Sequence, residues 1–420
     1  MTRSDNASPL VRPFSALRPL TRFAAEVVAP PYDVLSSKEA RQRAAGKPWS
    51  FLHISKPEID LPADTDPYAP QVYRKAAQNL RAMLDAGVLA RDARPSYYGY
   101  RLRMGTHAQM GVVVCASVAH YDSNRIRKHE LTRPDKEDDR VRQIEALNAQ
   151  TGPVLLAYPP APRLDELLES VSRAAPAVTV HSDAEVEHAI WVIDSDARIE
   201  AIGALFDTMP ALYIADGHHR SAAASRVAAA RRAASGQPIG AQSADWFLAV
   251  AFPHHQMRIL DYNRLVKDLN GLSTEDFLER VRKAFEVEPA GEAVRPERPG
   301  VFGLYLDRQW YRLRIAPPLT QQADPVERLD VSLLSNHLLG PILGIRDLRT
   351  DTRIDFVGGI RGLSELKRRV DAGEMRAAFS LYATRMEDLM AVADAGRVMP
   401  PKSTWFEPKL ADGLVSHVLD

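Results

Sequence analysis

The sequence predicts a mixed α/β (α+β) fold, and three observations carry that expectation. Short apolar runs of strand type alternate with helix-like segments from Tyr97 to Phe252. At the centre, Leu212-Tyr-Ile-Ala215 runs through the turn signal Asp216-Gly217 into an alanine-rich stretch from Ser221 to Ala234, a strand–turn–helix unit. No internal repeat interrupts the alternation, and a bundle or a sandwich would not produce it.

Taken in order, the first ten or so residues are polar and are expected to fray. Val11 to Leu35 reads as short extended pieces, with Pro30-Pro31 stiffening a loop that presents Tyr32 and Asp33. Ser36-Ser37 followed by Glu39 is a helix start, and Ser50 to Ile54 reads as a strand. Val72, Ala76, Leu80 and Leu84 recur every fourth residue, which predicts an amphipathic helix from Tyr68 to Gly87. Strands are expected at Tyr97 to Arg103 and Met110 to Val118, then a charged helix with Val141, Ile144 and Leu147 on one face. Strands at Thr151 to Tyr158, Ala189 to Ile193 and Trp246 to Phe252 flank helices at Leu164 to Ala174 and Ile199 to Met209. Beyond Arg264 the chain changes character. A helix opened by Ser273 precedes a loop over residues 288–300 and a hairpin from Phe302 to Ile315. Helices are expected at Val326 to Leu339, Ser364 to Val370 and Met386 to Ala393, with a strand at Ala378 to Tyr382. Two late loops, Arg346 to Gly359 and Pro400 to Lys409, could close over a ligand. They could equally form salt bridges and dock a C-terminal tail. Three regions follow: 1–118, a catalytic core over 119–265, and 266–420.

With 420 residues there is chain enough for two or three cores. Lys and Arg total 54 and so do Asp and Glu, so no overall field draws the protein to nucleic acid or anionic membrane. The single cysteine, Cys115, excludes an internal disulfide and a multi-thiolate metal site, and its apolar setting reads as core. No run approaches a membrane span, and the first residues do not read as a secretory signal, so a cytoplasmic location is expected.

The chemistry concentrates at the start of the alanine-rich helix. A helix N-terminus carries unsatisfied N–H groups and partial positive charge, which favours acids. Here it carries His218, His219 and Arg220 instead. An anion held between them would make sense of that choice. Gly217, His218, His219, Arg220 and Ser221 then form a phosphate cradle. The alternative is that Asp216 caps the helix and the histidines are ordinary polar loop residues. Adjacent histidines seldom face one ion, so a metal site on His218 and His219 is disfavoured and no residue is assigned to a metal.

Tyr213-Ile-Ala-Asp-Gly-His-His-Arg220 resembles the Asp-Gly-His-His-Arg motif of free L-serine kinases with the ParB/sulfiredoxin-like fold, where it grips nucleotide phosphates. Lys128-His-Glu-Leu-Thr132 resembles the segment that supplies those kinases' catalytic glutamate. Segments from end to end, including Ala29-Pro-Pro-Tyr-Asp-Val34, Asp351 to Gly359 and Met399 to Lys409, identify the chain as similar to the DUF1015 family. The resemblance implies a ParB/sulfiredoxin-like core with additional N- and C-terminal α/β regions. It also implies a kinase that moves a phosphoryl group from ADP or ATP, with Mg²⁺, to free L-serine, giving O-phospho-L-serine. Glu130 would be the base, with Asp216 and His219 assisting. His129, Lys136, Arg140, Lys402, Ser403 and Thr404 are candidate substrate contacts. The alternatives are the reverse reaction on O-phosphoserine and a nucleotide-dependent regulatory protein that binds DNA. The zero net charge counts against the latter.

Overall fold

The strand-type runs expected between Tyr97 and Phe252 assemble into one sheet. In the computed structural model, which describes residues 8–182 and 185–420, nine strands build it. They are β1 (Val11–Arg12), β2 (Tyr97–Met104), β3 (His107–Ser117), β4 (Ile126–Arg127), β5 (Val154–Tyr158), β6 (Val178–His181), β7 (Val186–Ile193), β8 (Leu212–Asp216) and β9 (Trp246–Pro253). The order is β4-β8-β5-β9-β3-β2-β7-β6, with β1 pairing β3. The sheet is mixed: β8 runs parallel to β4 and antiparallel to β5, while β9 runs parallel to β5 and antiparallel to β3.

Helices cover the sheet because their apolar stripes demand it. Leu164, Leu168 and Val171 of α3 (Pro162–Ser172) and Ile202 and Phe206 of α4 (Asp196–Asp207) join Val114, Leu156, Ile214 and Phe247 in one core. Each such side chain contributes roughly 1.5–3 kcal/mol when fully buried. The eighteen-residue helix α5 (His218–Ser235) buries Ala222, Ala223, Ala224, Val227 and Ala228, small residues that allow close approach. Two further helices lie earlier in the chain, α1 (Pro70–Asp85) and α2 (Pro134–Leu147). α2 packs on both α1 and α5.

The chain forms two compact units, one of Met1–Met257 with Pro408–Asp420, the other of Arg258–Glu407. This differs from the three regions expected. The cut after residue 118 would separate β3 from β9, its neighbour through six residue pairs, and the cut after 265 falls inside a strand of the second unit. That unit has a six-stranded antiparallel sheet of β10 (Tyr262–Val266), β11 (Phe285–Ala290), β12 (Val301–Leu306), β13 (Gln309–Ile315), β14 (Ile354–Gly358) and β15 (Ala377–Ser380), in the order β11-β13-β12-β15-β10-β14. Its helices include α6 (Thr274–Val281), α7 (Asp330–Leu334), α8 (Gly362–Asp371) and α9 (Met386–Asp394).

Other differences have local causes. Ser50 to Ile54 is not a strand: Leu52–Ser55 is a helical turn that buries Leu52 and Ile54, and so short an apolar run fits either form. The expected 288–300 loop begins later, because β11 runs through Pro289. It is the edge strand of its sheet, the position where proline is tolerated because the outward-facing N–H groups have no neighbour to bond. Ile354–Gly358 is a strand where a loop was expected, its pattern hidden by charged neighbours. The helix expected from Val326 to Leu339 begins only at Asp330, and after Leu334 it continues as one π-helical turn, Ser335–Leu339. Residues 1–7 of the segment expected to fray lie outside the described residues, while Leu10 is buried and its N–H donates to Asp207 at 2.8 Å. Cys115 is buried in β3, as its apolar setting implied. Among the described residues no helix is long and apolar enough to cross a membrane.

The C-terminal segment is part of the first unit's framework. Asp412 pairs with Ala29, Ser416 with Leu17, and His417–Val418 with Ala149–Gln150, while Leu414 and Leu419 are buried. Deleting residues 408–420 is therefore expected to lower the urea midpoint of the first unit or abolish its cooperative transition. Circular dichroism on full and truncated chains measures this, and a truncated chain that unfolds like the parent would contradict it.

Candidate functional site

The site forms where β8 ends and α5 begins. Gly217 makes the turn with φ of 96°, and a Cβ there would stand 3.1 Å from Arg220 Nε and 3.3 Å from Val154 Cα. Only glycine accepts both the dihedral and the contact. Asp216 does not cap the helix: its Oδ1 accepts the N–H of Gly217 at 2.9 Å, and the α5 terminus has no side-chain cap.

Arg220 lies differently from the expected phosphate contact. Its Nη2 is 3.6 Å from Asp216 Oδ2 and 3.7 Å from Asp33 Oδ2, and its Nη1 donates to the Pro153 carbonyl. Lys409 adds a second cation 3.5 Å from Asp216. Burial pushes the Asp216 carboxyl up, but Lys409 and Arg220 outweigh it and hold the group below the usual carboxylate range. Arg220 is likewise desolvated, yet Asp216, Asp33, Tyr32 and Asp412 hold its guanidinium above its ordinary value. The basic excess read at this turn is thus met by the protein's own carboxylates. Sequence reasoning placed Tyr32 and Asp33 on a stiff loop without giving them a role, and missed Lys409 and Asp412. Lys409 at least closes the Pro400 to Lys409 loop singled out above, whereas nothing in the sequence marked Asp412.

The histidines divide. His219 Nε2 accepts the Arg133 N–H at 3.1 Å, tying α5 to the loop before α2. His218 turns inward against His129, ring centroids 4.5 Å apart and edge to face. Both are buried, and desolvation keeps both neutral, His129 lowered to about 4 and His218 well below its usual value. The His129 N–H approaches His218 Nε2 at 3.4 Å, which makes Nε2 the acceptor and leaves the ring proton on Nδ1. Nδ1 faces Glu130 Oε2 at 3.7 Å, and the Glu130 side chain is 49% exposed.

His129, Glu130 and His218 therefore bring three potential metal-ligand atoms within 4.8 Å of one another, where the sequence reading assigned no residue to a metal. His218 and His219 do not form the pair considered there. The proton on His218 Nδ1 leaves that atom no lone pair for a metal.

The remaining candidates are placed as follows. Ser221 is spent inside α5, its hydroxyl donating to the His218 carbonyl at 3.0 Å. Lys136 donates to the Tyr68 hydroxyl at 2.5 Å. Arg140 is bonded to Asp139 at 2.6 and 3.0 Å and stacks 4.0 Å over the Tyr32 ring. Arg140 and Arg220 both line a cavity of about 40 Å³ with Tyr32, Thr151 and Asp412. That is room for roughly three waters, not an amino acid. Lys402, Ser403 and Thr404 belong to the second unit. There Ser403 donates to the Pro400 carbonyl at 2.6 Å, and Lys402 Nζ sits 5.9 Å from the Tyr262 ring centroid.

Fold and site together define a mixed α/β protein with a carboxylate–histidine couple beside an uncapped helix entrance. The chain belongs to the family described as protein of unknown function, DUF1015, whose profile matches residues 11–332. No curated protein matches it. Among solved structures it is similar to a mutant free serine kinase in complex with AMP (16% identity, TM-score 0.36, 70% of this chain and 87% of that one). It is also similar to a conserved hypothetical protein from Pyrococcus furiosus (15%, 0.34, 72% and 94%) and to SbnI with C-terminal truncation from Staphylococcus aureus (13%, 0.37, 72% and 86%). Likeness at this level assigns no reaction.

Two predictions follow from the charge cluster. Arg220→Gln strands Asp33, Asp216 and Asp412 without their guanidinium. The expected loss is about 2–3 kcal/mol in urea unfolding, less than for a fully buried pair because Asp33 and Asp216 keep some solvent. A loss below about 0.5 kcal/mol would show that the cluster does not hold the turn. Asp412 is raised from 3.8 to about 7, by burial first and by Asp33, against the pull of Arg220 and Arg140. Its folded form binds the proton more tightly than the unfolded chain, so this group's contribution to stability falls as pH rises from about 4 to about 7. Asp412→Asn should therefore melt progressively higher than the parent as pH goes from 5 to 8. A pH-independent difference would contradict this.

Proposed function

We propose that this protein is a phosphotransferase that moves a phosphoryl group from ADP or ATP to the hydroxyl of free L-serine, forming O-phospho-L-serine. The observation that carries the reading is the Glu130 carboxylate, half exposed, beside neutral His218 at the uncapped entrance of α5. The choice of serine and of nucleotide rests on the motif resemblance at residues 128–132 and 213–220.

In this reading Glu130 accepts the hydroxyl proton, with the neutral His218 Nδ1 3.7 Å from its carboxylate. The serine oxygen bonds to the terminal phosphorus, and the bond to the bridging oxygen breaks, releasing AMP from ADP or ADP from ATP. The backbone N–H groups at residues 218–220 receive the donor's phosphates, a role that needs no free guanidinium. Arg220 and His219 position the turn. Mg²⁺ prefers oxygen ligands, so the nucleotide's own phosphates would hold it, while the two buried imidazoles beside Glu130 do not fit it. With the nucleotide bound, the ion would offset charge on the transferred group. The same groups serve the reverse reaction.

Glu130→Gln keeps size and hydrogen bonding but removes the base. Phosphoserine formation from serine and ADP or ATP should fall by about 10²–10⁴-fold while nucleotide affinity, read by calorimetry, stays near that of the parent. Parent-like turnover in the variant removes Glu130 from the mechanism. Phosphate release from O-phosphoserine without nucleotide would point to hydrolysis, and DNA retention without turnover to the regulatory alternative.

A further inference from the structure

The second unit contains a pocket of about 950 Å³ that the proposed reaction does not use. It opens between the end of α6, the edge strand β11, β13, the start of α7 and the segment leading into α9. Its size is that of a site for a nucleotide-sized ligand.

Two features of this pocket are independent of each other. The first is its charge. Arg282, Lys283, Arg298 and Arg328 line it, are exposed, and make no ion pair or side-chain hydrogen bond among the described residues. Arg314 and Arg385 line it too, but these are matched by Glu286 and Glu288 and by Asp388. In a chain whose formal charges cancel overall, four unmatched cations around one cavity are a local excess. The second feature is Asp330. This carboxyl lines the same pocket and is buried. One oxygen accepts the Gly300 N–H at 2.9 Å, while Oδ2 has no hydrogen-bond partner. A buried polar atom left unmatched costs free energy unless something satisfies it. Burial, with Asp388 nearby, raises this carboxyl to about 7 against the pull of the Gly300 N–H and Arg385, so its protonated form can donate to an acceptor.

We propose that this pocket binds a small, multiply charged anion of the phosphorylated-metabolite class. The four unmatched cations neutralise the phosphate groups, and the free oxygen of Asp330 hydrogen-bonds one polar group of the ligand.

The test uses the full-length protein and inorganic tripolyphosphate as probe, followed by calorimetry at moderate salt. Arg298→Ala with Arg328→Ala is expected to weaken binding at least about tenfold, because two of the four cations are gone. Arg163→Ala with Arg173→Ala removes the same charge from exposed positions of the first unit and should leave affinity unchanged. Asp330→Ala, checked by melting for an intact fold, should weaken binding, and Asp330→Asn should restore it because the amide still donates. Equal losses in the two double variants, or no binding at millimolar probe, would overturn the proposal. A folded Asp330→Ala protein that binds like the parent would overturn it as well. None of these positions lies in the Glu130 site, so failure of the kinase reading leaves this test standing.

Discussion

The constraint on which the site depends is the neutralisation of Arg220. A guanidinium at the first turn of a helix opposes the helix dipole, and this one is desolvated as well. Asp216 reaches it from the strand before the turn, Asp33 from the proline-stiffened loop, and Asp412 acts on it from the returning C-terminal segment, with Lys409 balancing Asp216. Three distant parts of the sequence therefore meet at one side chain. The carboxylates that surround this guanidinium belong to the protein itself and hold the turn in shape.

That arrangement leaves a clear division of labour at the entrance of α5. Arg220 and His219 fasten the turn, one to carboxylates and a carbonyl, the other to the Arg133 amide. His218 and His129 are kept neutral by burial, so neither repels nor attracts charge strongly. The Glu130 carboxylate stands half exposed beside a first turn that carries no side-chain cap. An uncapped N-terminus on an eighteen-residue helix retains its anion preference without a cationic side chain.

Much of the framework was legible because periodicity and turn chemistry are local. The spacing of Val72, Ala76 and Leu80 located α1, although Leu84, expected on the same face, is exposed and Met83 is buried instead; Asp216-Gly217 located the turn, since only glycine tolerates that dihedral. The Ser50 to Ile54 turn and β14 were not legible. One was too short for its period to be read, and the other lay among the charges of Asp351, Arg353 and Asp355. At the site, Glu130 and His218 could be selected by residue type and position on a loop or helix start. Their mutual approach could not, because it depends on β8 lying beside β4 and carrying its helix past residue 129. The fate of Arg220 was hidden for the same reason: its partners stand roughly 190 residues away on either side, at Asp33 and Asp412.

The central claim is that phosphate is received by the backbone of the α5 entrance while Arg220 stays on the protein's own carboxylates. A crystal structure of the full chain with ADP addresses it directly. The account predicts phosphate oxygens within hydrogen-bond distance of the N–H groups at residues 218–220, Glu130 open toward the terminal phosphate, and Arg220 still paired with Asp216 and Asp33. A guanidinium swung off those carboxylates onto the nucleotide, or a nucleotide bound elsewhere with this entrance vacant, would contradict it.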